Sequence, residues 1–140
     1  MDNEAHYPLP QPTAFTTRFW KSCQRQELEI PRCQSCNLLF LPGGPVCPNC
    51  WSQELGSCLA SGRGMVANYV VYHRSYHPAI PAPYVVAIIE LQEGVRMVSN
   101  VIGCPPDSVH IGMPVQVVFE KAANAESDFM LPKFKPVGED

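Results

Sequence analysis

Residues 33–50 read CQSCNLLFLPGGPVCPNC, which sets two Cys-x-x-Cys pairs, Cys33/Cys36 and Cys47/Cys50, fourteen positions apart. Two residues between cysteines let the backbone fold back so that both thiolates point at one ion, and a second such turn completes a tetrahedron. The donor set is all sulfur, which favours zinc, and four protein ligands leave no coordination position for water or substrate. Cys33, Cys36, Cys47 and Cys50 are therefore expected to hold a structural zinc. Between the pairs, Leu38–Leu41 reads as a short strand and Pro42-Gly43-Gly44-Pro45 as a turn, the layout of a rubredoxin-like zinc ribbon. The residue after each pair commonly needs a positive φ, which favours glycine; Asn37 tolerates it, whereas Trp51 departs from the pattern.

Outward from the knuckles, Leu28–Arg32 alternates as a strand entering Cys33. Upstream, Thr13 is a candidate N-cap for a helix through Gln26 that carries Phe15, Phe19, Trp20 and Cys23 on one stripe. Residues before it, with Pro8, Pro10 and Pro12, favour an extended tail. Downstream the texture is all β. Gly62-Arg63-Gly64 opens a long, bent strand through His73. After a Pro- and His-rich loop, strands are expected at Tyr84–Leu91, Val95–Ile102 and Pro114–Glu120, and Met130–Val137 alternates as an edge strand would. Five strands without an intervening helix predict a small OB-fold barrel. The fold class is thus mainly β: a tail and helix over 1–27, a zinc ribbon over 28–60 and an OB-fold over 61–140.

The chain has 140 residues and a net charge of −3, so no global field draws it to nucleic acid or to an anionic membrane. Charged residues make up only 16%, well below the usual quarter or so, which points to faces covered by a partner. Seven cysteines, four of them at metal spacing, fit a reducing compartment rather than a secreted disulfide framework. The first twelve residues lack the apolar run of a secretory signal, and the expected location is cytoplasmic. Cys23, Cys58 and Cys104 stand alone and read as core thiols. His6, His73, His77 and His110 form no acid–base pattern with a nucleophile, so no catalytic side chain is assigned.

The ordered series resembles the zinc-ribbon and OB-fold proteins associated with acyl-CoA enzymes, once filed as domain of unknown function thirty-five. It comprises Phe19-Trp20, the two knuckles, Ser61-Gly62-Arg63-Gly64, His77-Pro78, Pro83–Ala87, Glu90-Leu91 with Glu93-Gly94, and Ile111–Val115. The resemblance implies a non-catalytic accessory subunit of a thiolase-like enzyme (a thiolase, a hydroxymethylglutaryl-CoA synthase-like acyltransferase or a side-chain-cleaving aldolase) or of a hotdog-fold hydratase. It implies a hetero-oligomer, with no membrane partner. It leaves contact with CoA or acyl-CoA open: Arg63, Arg74, Arg96 and Lys121 offer cations for phosphates, yet each equally reads as a solvated surface charge. The tail, the aromatic helix and the Arg74–Pro83 loop are the expected docking surfaces. Two other classes compete. Tyr69, Tyr72, Tyr76 and Tyr84 keep a single-strand-binding module in view, and two Cys-x-x-Cys pairs hold one iron as well as zinc, which would suit electron transfer.

Overall fold

A computed structural model describes residues 10–41, 43–75, 77–121 and 129–137. The extended tail lies mostly outside them, as do Pro42 and Tyr76.

Thr13 caps a turn rather than the helix itself. Its hydroxyl accepts from the Phe15 amide (3.2 Å), its own amide donates to Thr16 Oγ1 (2.8 Å), and its carbonyl accepts from Thr17 (2.9 Å). The helix α1 starts only at Thr17 and ends at Gln24. Phe15 therefore falls off the stripe and is exposed, while Cys23 is fully buried and Phe19 packs against the core. At the far end the Glu27 amide donates to Ser22 O and the Gln26 amide to Cys23 O, each at 2.9 Å, a Schellman closure. Gln26 takes the left-handed position there, at φ 60°.

Strand β1 (Leu28–Cys33) pairs antiparallel with β2 (Leu55–Ala60), from Leu28 opposite Ala60 to Cys33 opposite Leu55. Sequence periodicity gave no sign of β2: Gly56, Ser57 and Cys58 break any apolar alternation, and only Leu59 in the strand is exposed. The strand expected over Leu38–Leu41 shrinks to a single bridge between Arg32 and Leu39.

The barrel closes in the order β3-β4-β5-β7-β6, with β3 Arg63–Tyr72, β4 Tyr84–Leu91, β5 Arg96–Val101, β6 Pro114–Lys121 and β7 Met130–Pro136. A bulge between Val66 and Asn68 bends β3, so that Arg63–Met65 also pair with Pro114–Gln116 of β6. Gly62 and Gly64 fit this corner for steric reasons. A Cβ on Gly62, at φ 83°, would meet Val117 Cγ1 at 2.3 Å, and one on Gly64 would meet the Glu90 carbonyl at 2.5 Å.

The last strand corrects the sequence reading. β7 is no edge: it lies between β6, antiparallel, and β5, parallel, where Val101 faces Phe134 and the Ile102 amide donates to Phe134 O at 2.7 Å. Phe134 is fully buried. Pro132 cannot donate to a ladder. Its carbonyl instead accepts from the buried Ser99 hydroxyl at 2.8 Å, so a side chain supplements the seam. The core is continuous across the molecule: Leu28 and Ile30 of β1 pack in one cluster with Val66, Ile89, Val115 and Phe134 of the barrel.

Candidate metal centre

The two knuckles are built alike. The Asn37 amide donates to Cys33 O (2.8 Å) and the Trp51 amide to Cys47 O (2.9 Å), while the Cys33 and Cys47 amides donate to Leu38 O and Ser52 O, each at 2.9 Å. This repeat forces both residues that follow the pairs into the left-handed region, Asn37 at φ 65° and Trp51 at φ 64°. The tryptophan thus adopts the conformation that its side chain disfavours, and it remains 78% exposed.

The four thiols converge. Their sulfurs all lie within 4.8 Å of one another, with Cys33–Cys50 at 3.5 Å and Cys36–Cys47 at 3.6 Å. A tetrahedron of zinc–sulfur bonds has an edge of about 3.8 Å, so the thiol set fits that ion. Backbone amides reinforce the sulfurs, Cys36 N–H donating to Cys33 Sγ and Asn49 N–H to Cys47 Sγ, each at 3.4 Å. Asn49 Nδ2 lies 3.7 Å from Cys36 Sγ. Hydrogen bonding from the Cys36 amide pulls the Cys33 thiol down to about 6, and the Leu38 amide lowers Cys36. Cys50 goes the other way. The Ser52 amide favours its thiolate, but the Cys33 sulfur and burial outweigh it and push it up to about 12. Crowded thiolates that resist a last deprotonation are what a divalent cation relieves.

Sequence reasoning missed how the knuckles are tied together. Ser35 and Ser52 hydroxyls bond at 2.9 Å, and the Gln34 amide reaches Glu54 O at 2.8 Å, entering β2. No spacing rule marks these residues.

The remaining candidates do not assemble with the thiols. Arg63 begins β3, exposed Arg74 follows it, Arg96 opens β5 with its Nε 2.9 Å from Glu90 Oε1, and Lys121 ends β6. His73 is exposed, and His77 uses Nδ1 to accept the Ala79 amide at 3.1 Å. Tyr72 and Tyr84 stack on each other at 4.9 Å, whereas Tyr69 packs against the core. Cys23 is buried and pushed up to about 12 by desolvation, an inert core thiol; Cys58 and Cys104 are half-buried.

A four-cysteine ribbon leaning on a closed barrel of this strand order defines a zinc-ribbon and OB-fold protein. Two family models match: the "ChsH2, rubredoxin-like zinc ribbon domain" over residues 20–56 and the "ChsH2, C-terminal OB-fold domain" over 59–120. The "DUF35 domain-containing scaffold protein" of Methanothermobacter thermautotrophicus is 37% identical over 127 residues, 86% of this chain and 96% of that protein. The chain belongs to this DUF35 family. The "Probable enoyl-CoA hydratase alpha subunit" of Thermomonospora curvata is 42% identical over 84% of this chain, which spans only 36% of that longer relative. Among solved structures, a chain of the "Ltp2-ChsH2(DUF35) aldolase" superposes with a TM-score of 0.83 at 38% identity, covering 91% of this chain and 98% of that one. No helix among the described residues is long and apolar enough to cross a membrane.

Proposed function

We propose that the chain is a non-catalytic accessory subunit that supports an aldolase or other thiolase-like enzyme acting on acyl-CoA thioesters, and that Cys33, Cys36, Cys47 and Cys50 hold a structural zinc within it. One observation carries the reading: the 38% identical chain that matches along 98% of its length belongs to an aldolase that also contains Ltp2. The residues agree with it. Zinc would supply the ribbon with its cross-link, four sulfurs would close its coordination, and the knuckle amides would hold those sulfurs in place. Of the described histidines, His73 and His77 share the β3–β4 loop and His110 lies on another; the His77 and His110 rings meet backbone groups, at the Ala79 amide and the Ser108 carbonyl, and not a nucleophile.

Coexpression with an Ltp2-type aldolase subunit tests the proposal. The chain should copurify with it, carry one zinc and show no turnover alone; enzyme-like turnover of a CoA thioester by the isolated chain would overturn it. The nucleic-acid reading loses ground because Tyr72 and Tyr84 already stack on each other, Tyr69 faces inward and Arg96 is paired with Glu90. The electron-transfer reading predicts a coloured, iron-loaded protein, so the visible spectrum of freshly purified material separates it from zinc.

A further inference from the structure

The outer face of the barrel breaks the rule that the solvent side of an antiparallel sheet alternates to polar residues. Along β4 the buried side chains are Val85, Ala87, Ile89 and Leu91, which leaves Tyr84, Val86 and Ile88 pointing outward. Across the sheet, neutral amides face two of them, Asn68 opposite Ile88 and Asn100 opposite Val86, and the other partners are apolar or aromatic. Val70 lies opposite Val86, Tyr72 opposite Tyr84, and Val98 opposite Ile88. Val98 is 69% exposed and Val70 54%. Among the described residues the face has the charged pair Arg96 with Glu90, and the two neutralise each other at its edge. Beyond Val98 and Ile88 the same surface runs into a cavity of about 600 Å³ whose far wall is Phe19 and Trp20 of α1. The patch therefore joins the aromatic helix at one end to the β3–β4 loop at the other.

We propose that this outward face of β3, β4 and β5, centred on Val98 and Val70, is where the chain docks its catalytic partner, the enzyme subunit of the aldolase class. The inference rests on the accessory-subunit reading and adds the surface to it. The chemistry of the face selects among occupants. A nucleic acid needs unpaired cations and open aromatic planes, and here the cation is paired and the two tyrosines are stacked. A mainly apolar patch interrupted only by neutral amides and edged by a compensated ion pair is what a protein surface covers. The relative with 98% of its length matched is held in an aldolase, which supplies an enzyme as the protein that does so.

The test measures binding of the Ltp2 aldolase subunit to the full chain and to three variants, each first checked for an unchanged thermal melt. Val98→Asp and Val70→Lys alter exposed positions and should fold. Leu59→Asp, at a 60% exposed leucine on β2, is the control for an apolar residue elsewhere. The expected result is binding by the wild type, a loss of about thirtyfold or more for each barrel variant, and a change below about threefold for Leu59→Asp. If the wild type binds and Val98→Asp and Val70→Lys bind equally well, the face is wrong and the accessory role stands. If the wild type does not bind the aldolase subunit, the accessory role fails and takes the face with it. If sedimentation shows a wild-type dimer that Val98→Asp dissolves, a second copy occupies the face and the proposal is overturned.

Discussion

Trp51 and Gln26 sit at φ near 60° with no glycine to relieve them. The knuckle hydrogen bonds fix the first and the helix closure fixes the second, so the backbone is held there by its surroundings. A side chain at such a position costs about 1–2 kcal/mol, and glycine returns about half of the gain through its greater freedom in the unfolded chain. Trp51→Gly and Gln26→Gly should each stabilise by about 0.5–1 kcal/mol, read as an upward shift of the thermal midpoint with zinc in excess. A lowered midpoint for Trp51→Gly would mean that the indole, although exposed, makes a contact that repays the strain. The glycines at the barrel corner behave oppositely. Gly64→Ala would drive a Cβ to 2.5 Å from the Glu90 carbonyl, which is backbone and cannot swing aside. We expect a loss of several kcal/mol from overpacking and broken β3–β4 pairing, measurable by urea denaturation. A loss of under 1 kcal/mol would show that β4 yields there.

At the scale of elements, Glu29 joins the helix to the ribbon. Its carboxylate accepts from Arg18 Nε, from the Ser57 hydroxyl at 2.6 Å and from Arg25 at 3.1 Å, while its amide donates to Ser22 Oγ at 3.2 Å. The Ser57 hydrogen bond, then the Arg18 and Arg25 cations, hold its carboxyl below the usual carboxylate range. A depressed folded-state value means that the stabilisation is fully present above the unfolded carboxyl's range, about pH 4–5, and is lost as pH falls through the lower folded value. Because both arginines are exposed, solvent screens them, and the cluster is worth about 1 kcal/mol at neutral pH. Glu29→Gln should be less stable than wild type by about that much at pH 7, and the gap should narrow as pH falls below the unfolded carboxyl's range. Parallel pH profiles would show that the charge contributes nothing. Elements also show how far the sequence could be read. The knuckles and β3 to β6 were legible because ligand spacing, turn glycines and strand alternation are local signals. β2 was not, since Gly56, Ser57 and Cys58 carry no alternation and the strand exists only because β1 offers it an edge. β7 was legible as a strand but not in place: its prolines suggest an edge, yet it closes the barrel between β6 and β5, where the Ser99 hydroxyl on Pro132 O adds a side-chain bond across the seam. The aliphatic outer face was readable as residues but not as a surface, because that requires the register that aligns Val70, Val86, Ile88 and Val98.

At the scale of the molecule, the zinc ribbon and the barrel share one core. Leu28 and Ile30 leave the ribbon side of β1 to pack with Val66, Ile89 and Phe134, while Cys33 at the end of the same strand belongs to the sulfur cluster. Only Pro31 and Arg32 thus separate a barrel contact from a proposed zinc ligand, and β1 cannot be released at one end and held at the other without straining that contact. Structural zinc in such ribbons contributes folding free energy directly. Its removal should therefore reach the barrel. Hydrogen exchange before and after chelation, followed at Ile30, Ile89 and Val115, measures this: protection at all three should fall together, and the thermal transition should stay single but move down. Cys50→Ser should reproduce the pattern without chelator, because the remaining three sulfurs lose the cation's full compensation. If Ile89 and Val115 kept native protection while Ile30 exchanged freely, the ribbon would be an independent unit, and the cysteines would brace only themselves rather than the face presented by the barrel.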